Sequence, residues 1–289
     1  MDVSVSVVIT TKNEENHIEK LLESIVTQTF QPHEIILVDN FSTDLTREIA
    51  AKYPCRLFSK GPERSAQRNF GMAQASGTHI LYLDADMELT QDVILDCVQT
   101  VQKNPQLVGC YLPEKVMGRG YWIKVRRFER SFYNGTVVDA IRFFPRQLAK
   151  KVGGFDETLN GSEDWDFDKK MRAFGEVGVT AEPILHNEDG FTISRYLRKK
   201  NYYQPTWEPY VKKWGKNDPD IRRQLGFFYR YFGVFIEGGK FRRFVRHPLL
   251  VLGMYVLRVL VGVNYVWGKI WQARLVTANE KRKARESHC

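Results

Sequence analysis

The chain has 289 residues, 43% hydrophobic and 27% charged, with 43 Lys and Arg against 34 Asp and Glu and four Cys. These proportions exclude wholesale disorder, a collagen-like fibre and a disulfide-stapled miniprotein, and the length suits one large domain or one domain with an appendage. The formal charge of +9 is a sum of unlike parts: residues 1–194 carry 22 basic and 28 acidic side chains, whereas residues 195–289 carry 21 and 6, so no overall basic excess points to nucleic acid.

Val3–Thr10 is β-branched and short, the signature of a buried strand. Glu15–Thr27 places Ile18, Leu21, Leu22, Ile25 and Val26 on one helical face. Glu34–Asp39 is a second apolar run, followed by a Ser-Thr-Asp turn and a helix over Leu45–Ala51. Cys55–Phe58 and His79–Leu83 predict a third and a fourth strand, Ser65–Ala75 and Gln91–Gln102 the helices that follow them. This alternation predicts an α/β fold with a mostly parallel sheet, and such sheets bind ligands at the carboxyl ends of their strands. Thr10, Thr11, Asp39, Asp84 and Asp86 fall at those ends. No Gly-x-Gly-x-x-Gly and no Gly-Lys-Ser/Thr loop follows the first strand, which argues against a dinucleotide fold and a P-loop. Beyond residue 107 the alternation breaks. Val108–Val116 and Val137–Phe144 read as strands, with a basic stretch between them holding Arg119, Lys124, Arg126, Arg127 and Arg130. Ser162 to Gly175 reads as a helix with Ser162 as its N-cap. The cysteines, Cys55, Cys97, Cys110 and Cys289, show no Cys-x-x-Cys spacing and are expected to be buried or incidental thiols. The first residues carry no basic segment followed by an apolar one, so no signal peptide is expected.

Asp84-Ala85-Asp86 at the end of an apolar strand is the strongest chemical feature. Two carboxylates at i and i+2 can address a divalent cation and a ribose together, and hard cations share oxygen ligands with substrate phosphates. With Val7–Glu15, Ile36–Asp44, Gly61–Gly71, Leu81–Asp86, Val152–Asp156 and Gly161–Asp166 in this order, the chain resembles a family 2 glycosyltransferase of the GT-A fold over about residues 3–190. The resemblance implies an inverting transfer from a nucleotide-sugar donor, UDP- or GDP-linked, assisted by Mn²⁺ or Mg²⁺. It implies that Thr10, Thr11, Glu14 and Asp39 hold the base and ribose, that Arg64, Arg68 and Asn69 face the nucleotide and phosphates, and that Asp84, Ala85 and Asp86 form the Asp-x-Asp motif. It further implies Asp164, beside Glu163, as the catalytic base and His186 as a metal ligand with Asp86. The basic stretch borders the acceptor site in that family, which assigns Arg119, Arg126 and Arg127 to a lipid-linked or saccharide acceptor; Trp165 is either core or a platform under a sugar. The Gln-x-x-Arg-Trp signature of processive synthases is absent, so transfer of a single sugar is expected.

Residues 195–289 also hold 18 of the 37 Phe, Trp and Tyr, and a basic aromatic segment fits an anionic membrane surface. Phe227–Ile236 is too short to span a bilayer, and Leu249–Gly268 has the length but contains Arg258. Helices lying in the interface at the cytoplasmic face of the membrane are therefore expected, with one span near 249–268 and a core helix of a soluble protein as the alternatives; Lys281–Arg285 adds to the attraction. The expected organisation is a catalytic domain over 1–194 and a helical membrane-associating region over 195–289. Two other functions compete: a nucleotidyltransferase making sugar nucleotides, which wants a Gly-rich phosphate loop absent from Thr10–Glu15, and a non-catalytic membrane-surface scaffold, which the intact acidic pairs oppose.

Overall fold

A computed structural model describes residues 2–203 and 207–286, with side chains for 2–202 and 207–268, so Cys289 and the side chains of Lys281–Arg285 lie outside the described residues. The first half alternates as the pattern predicts: β1 (Val5–Thr11), α1 (Ile18–Val26), β2 (Glu34–Asp39), α2 (Thr46–Ala50), β3 (Arg56–Ser59), α3 (Arg64–Gln74) and β4 (His79–Asp84). There follow β5 (Met87–Leu89), α4 (Val93–Lys103), β6 (Gly109–Tyr111), β7 (Glu114–Met117), α5 (Tyr121–Arg130), β8 (Ile141–Pro145), α6 (Arg146–Lys151), α7 (Glu163–Arg172), β9 (Val177–Val179) and β10 (Ile184–Asn187). The chain then turns helical through α8 (Ile193–Tyr203), α9 (Trp207–Trp214), α10 (Pro219–Gln224), α11 (Val234–Ile236), α12 (Arg242–Arg246) and α13 (Pro248–Glu286).

The main sheet runs β3-β2-β1-β4-β8-β6-β9. Its β3, β2, β1 and β4 are parallel, and β8 pairs antiparallel to both β4 and β6. Strand order reverses beside β1, and there Thr10 sits level with Val38 on one side and Asp84 on the other. Both faces of the sheet are covered, which is why its strands read as continuous apolar runs. Val5, Val7 and Ile9 pack with α1 and α4; Val8, Ile36, Val38, Ile80 and Tyr82 pack on the opposite face with Phe167 and Met171 of α7. A second sheet, β5-β10-β7, stands at the carboxyl end of β4, and its central strand brings His186 opposite Met87.

Four local readings differ from the pattern. The Val108–Val116 run divides into β6 and β7 around Pro113, which has no N–H to give to a ladder. Only the end of Val137–Phe144 is strand, because the Asp139 carboxylate accepts the N–H groups of Gly135 and Ala140 and holds a turn there. The basic stretch after Gly118 is mostly helix α5, with Ile123, Val125 and Phe128 turned inward. Ser162 precedes α7 but its side chain accepts no cap hydrogen bond, and its buried hydroxyl has no hydrogen-bond partner among the described residues.

The helix Pro248–Gly268 is long and apolar enough to cross a membrane, with 22% of that stretch buried against the protein. Its inward side carries Met254, Leu257 and Arg258, whose guanidinium meets Glu129 of α5 at 2.8 Å. Leu252, Val256, Val259 and Val263 stand exposed on the other side.

Helix α3 lies close on β1 because Gly71 has no side chain: a Cβ there would sit 2.4 Å from Cγ1 of Val8. Gly71→Ala is expected to cost about 1–3 kcal/mol of stability by overpacking this contact. The measurement is the urea midpoint, which should fall with an unchanged denaturant slope.

Candidate active site

Of the polar groups predicted at the strand ends, Asp84 meets a buried arginine, which joins it to Asp164. Arg68, on the buried side of α3, has no exposed surface and lies between the rings of Tyr82 and Phe155, 4.5 and 5.1 Å from their centroids. Its Nη2 donates to Asp84 Oδ1 at 2.9 Å and its Nη1 to Asp164 Oδ1 at 2.7 Å. Tyr82 Oη donates to the same Asp164 oxygen at 3.1 Å, leaving Oδ2 with no hydrogen-bond donor among the described residues. Asp164 is thereby held at the start of α7, over the end of β4. Its neighbour Glu163 is buried and meets Arg64 at 3.1 Å, and burial together with the Asp164 charge pushes its carboxyl up.

Asp84 also accepts from Thr10 Oγ1 at 3.3 Å and faces Arg142 at 3.7 Å. Burial alone would raise its pKa; the guanidiniums of Arg68, Arg142 and Arg64 overcome burial and hold it well below the usual carboxylate range. Asp86 points elsewhere and is 28% exposed, with His186 Nε2 3.1 Å from its Oδ2. The other His186 nitrogen lies 3.7 Å from Glu114. Burial disfavours the imidazolium, but Asp86 and Glu114 outweigh it and push His186 up to about 10. Ala85 is buried between the two aspartates.

The donor set fits a divalent cation of one kind. Asp86 offers a carboxylate and His186 a ring nitrogen once it gives up the proton that Asp86 and Glu114 favour, and no group of three His, Cys, Asp or Glu suited to a metal gathers among the described residues. Two protein ligands leave most of a cation's shell to be filled by substrate phosphates, which is how Mg²⁺ is commonly held.

The remaining predicted residues take varied places. Thr11 Oγ1, at the end of β1, and Glu163 Oε2, at the start of α7, are buried without a hydrogen-bond partner among the described residues. Glu14 binds His17 at 2.8 Å, and its N–H donates to Thr46. Asp39 is fully buried and engaged by its own turn, accepting from Ser42 N at 2.9 Å with Arg47 at 3.4 Å. Asn69 is committed away from the cluster: it donates to the Phe155 carbonyl and to Glu157 and accepts from Phe155 N, pinning the Gly-Gly-Phe-Asp turn. Arg126 binds Glu129 and Glu188, Arg127 Nε donates to the Val116 carbonyl at 2.6 Å, and Arg119 is exposed. Trp165 is half-buried, with Nε1 donating to Val138 O. Sequence reasoning missed Tyr82, Arg142 and Glu114. The signal for Tyr82 is its place two residues before Asp84 on the same strand face; for Arg142 it is a lone charge among Ile141, Phe143 and Phe144.

Residues 6–155 match Glycosyl transferase family 2. An uncharacterized glycosyltransferase of Rickettsia typhi is 23% identical over 74% of this chain and 73% of its own length. The poly(ribitol-phosphate) beta-N-acetylglucosaminyltransferase TarS of Staphylococcus aureus is 31% identical over 69% of this chain, which spans only 38% of that protein. The structure of TarS 1–349 with UDP-GlcNAc superposes on 87% of this chain and 79% of that fragment, with TM-score 0.54 and 18% identity. The mannosyltransferase PcManGT of Pyrobaculum calidifontis, with GDP-Man and Mn²⁺, superposes on 97% of this chain and 87% of its own, with TM-score 0.59 and 19% identity. These likenesses show the fold.

Removing Arg68 strips the charge that holds Asp84 low. Asp84's depressed pKa contributes stability that is present above its unfolded value near about 4 and lost as pH falls below it. Arg68→Met is therefore expected to cost about 3–5 kcal/mol at pH 7. The deficit should shrink as pH falls towards about 4, where Asp84, left short of its nearest guanidinium, protonates. Urea titrations of both proteins across that range provide the check.

Proposed function

We propose that this chain, which belongs to glycosyl transferase family 2, moves one sugar from a nucleotide-sugar to a hydroxyl or phosphate of an amphiphilic, lipid-linked acceptor, with inversion. Its nucleotide-sugar-dependent transferase class follows from the family. The observation that carries the finer reading is the Arg68 cluster, which fixes Asp84 and Asp164 over one strand end while leaving Asp86 and one Asp164 oxygen accessible.

The donor's base and ribose would occupy the ends of β1 and β2, where Thr10, Thr11 and Glu14 stand; Asp39 shapes the turn beside them. Asp86 and His186 would hold Mn²⁺ or Mg²⁺. When bound, the cation neutralises charge that builds on the diphosphate leaving group. Arg64 adds a positive charge from the protein side. A hydroxyl acceptor is a poor nucleophile and needs a base within hydrogen-bond reach. Asp164 Oδ2 takes that proton, while Arg68 and Tyr82 hold Oδ1 and keep the carboxylate oriented. The acceptor's oxygen bonds to the anomeric carbon as the bond to the diphosphate breaks, and the electron pair leaves with the diphosphate. Arg119, Arg126, Arg127 and Trp165 belong to the acceptor side of this reading, and residues 195–289 to the membrane surface.

The test is nucleotide release from a panel of UDP- and GDP-sugars in Mn²⁺ or Mg²⁺. Asp164→Asn is expected to lower kcat about 10²–10⁴-fold where a hydroxyl acceptor is used, and Asp86→Ala to abolish metal-dependent turnover. Variants that match wild type remove the assignment. For the helical region, flotation on vesicles containing phosphatidylglycerol should be strong for the whole chain. It should weaken on replacing Leu252, Val256, Val259 and Val263 together by Ser, because each buried aliphatic side chain contributes about 1.5–3 kcal/mol. Unchanged flotation rejects membrane association through α13.

A further inference from the structure

Four cationic side chains converge where α5, α8, α13 and the helical turn Tyr229–Gly233 meet. Arg126 and Lys200 share the ring of Tyr196, 4.8 and 5.3 Å from its centroid. Arg230 lies 5.5 Å from the Tyr133 ring, and Arg258 meets Glu129 at 2.8 Å. The acidic side chains facing them are Glu129 and Glu188, and both are already engaged: Glu129 by Arg126 and Arg258, Glu188 by Arg126. Four basic side chains thus stand against two acidic ones. The Lys200 ammonium and the Arg230 guanidinium have neither a hydrogen bond nor an ion pair among the described residues. Burial pushes Lys200 down to about 7, and the nearby charges of Arg126 and Arg230 push the same way, against Glu129. Uncompensated charge in a partly buried cluster is costly, and an anion placed there relieves it.

The cluster has two unlike borders. On one side Arg126 binds Glu188 at 3.1 Å, two residues beyond His186, and the charge of Lys199, next to Lys200 on α8, acts on Asp86. On the other side Phe227, Phe228 and Phe232, flanking Arg230, are exposed, with the Phe227 ring stacked on Tyr231 at 4.5 Å. A ligand that satisfies both borders carries an anionic head beside the transfer site and an apolar chain leading away from it.

We propose that Lys200 and Arg230, with Arg126, bind the phosphate of an amphiphilic phosphoester acceptor whose apolar chain lies over Phe227, Phe228 and Phe232. The proposal deepens the acceptor reading above and rests on it. It moves acceptor recognition from the exposed Arg119 to cations supplied by the helical region.

The experiment measures binding of geranyl phosphate, geraniol and inorganic phosphate to the full chain without nucleotide, so the donor site is not involved. Geranyl phosphate should bind at least about tenfold more tightly than either of the others. Lys200→Gln and Arg230→Gln should each weaken it about tenfold, the worth of one charge-assisted hydrogen bond, and Lys200→Arg should restore it. In transfer assays the KM for the lipid phosphate should rise while the KM for the donor stays fixed. Equal binding of geranyl phosphate and geraniol, equal binding of geranyl and inorganic phosphate, or wild-type affinity in both Gln variants overturns the proposal. Flotation on phosphatidylglycerol vesicles provides the last arm: variants that lose flotation but keep geranyl phosphate affinity assign the cations to bilayer head groups, which also overturns it. Donor binding, read separately on the same preparations, fails if the transferase reading is wrong, whatever the phosphate arm returns.

Discussion

A guanidinium with no exposed surface is the constraint on which this site depends. Taking Arg68 out of water costs several kcal/mol even after relaxation, and only close, well-oriented carboxylates offset such a cost. Asp84 and Asp164 come from β4 and α7, while Arg68 comes from α3, so one side chain ties three elements separated in sequence. The rings of Tyr82 and Phe155 close the space around it. The same contacts divide the work between the two aspartates of the Asp-Ala-Asp triplet. Asp84 is held charged by its arginines, whereas Asp86 lies beyond their reach and pairs with His186.

The charge network continues into the second sheet. Arg142, on β8, reaches Asp84 and also meets Glu114 of β7 at 2.8 Å; Glu114 in turn meets Arg130 of α5 at 2.7 Å and lies near His186. The small sheet is thus bound to the main one by buried charge as well as by the packing of Leu89 and Ile184 in the central core. Buried ion pairs of this kind cost as much as they return in stability, but they fix orientation. His186 meets Asp86 because β10 pairs with β5 directly after the triplet, and Glu114 holds the far side of its ring.

The parallel half of the fold was legible because its strands are buried on both faces and its helices keep a 3.6-residue apolar period. The triplet stood out because it ends the fourth strand of an alternating sheet, where ligands of such sheets gather; an isolated Asp-x-Asp is more often a solvated turn. The second sheet was not, because strands as short as Met87–Leu89 and Ile184–Asn187 are too brief to show a period. Arg142 and Glu114 were visible only as charges within apolar segments, a signal that names a buried pair without naming the partner. Asp39 and Asn69 show the opposite limit. Both sit where a ligand-facing side chain is expected and also pin the turns at Ser42 and Phe155, and turn chemistry of this kind depends on loop geometry that a linear pattern does not encode.

The basic surplus of residues 195–289 divides once its partners are known. Lys213 meets Asp156 and Asp166, and Arg258 meets Glu129, so part of the surplus is the complement of an acidic body. Another part has no ion-pair partner among the described residues: Lys200 and Arg230 lie against the rings of Tyr196 and Tyr133, while Arg242 and Arg246 are exposed on α12 beside Phe241 and Val245. Arg258 itself settles into protein rather than lipid, which removes the objection that a charge would stand in a bilayer. It also binds α13 along one side to α5 and leaves only the opposite side apolar and open. A helix so tethered keeps Leu252, Val256, Val259 and Val263 on the side turned away from α5, so its charge is answered by protein while its aliphatic side chains stay exposed.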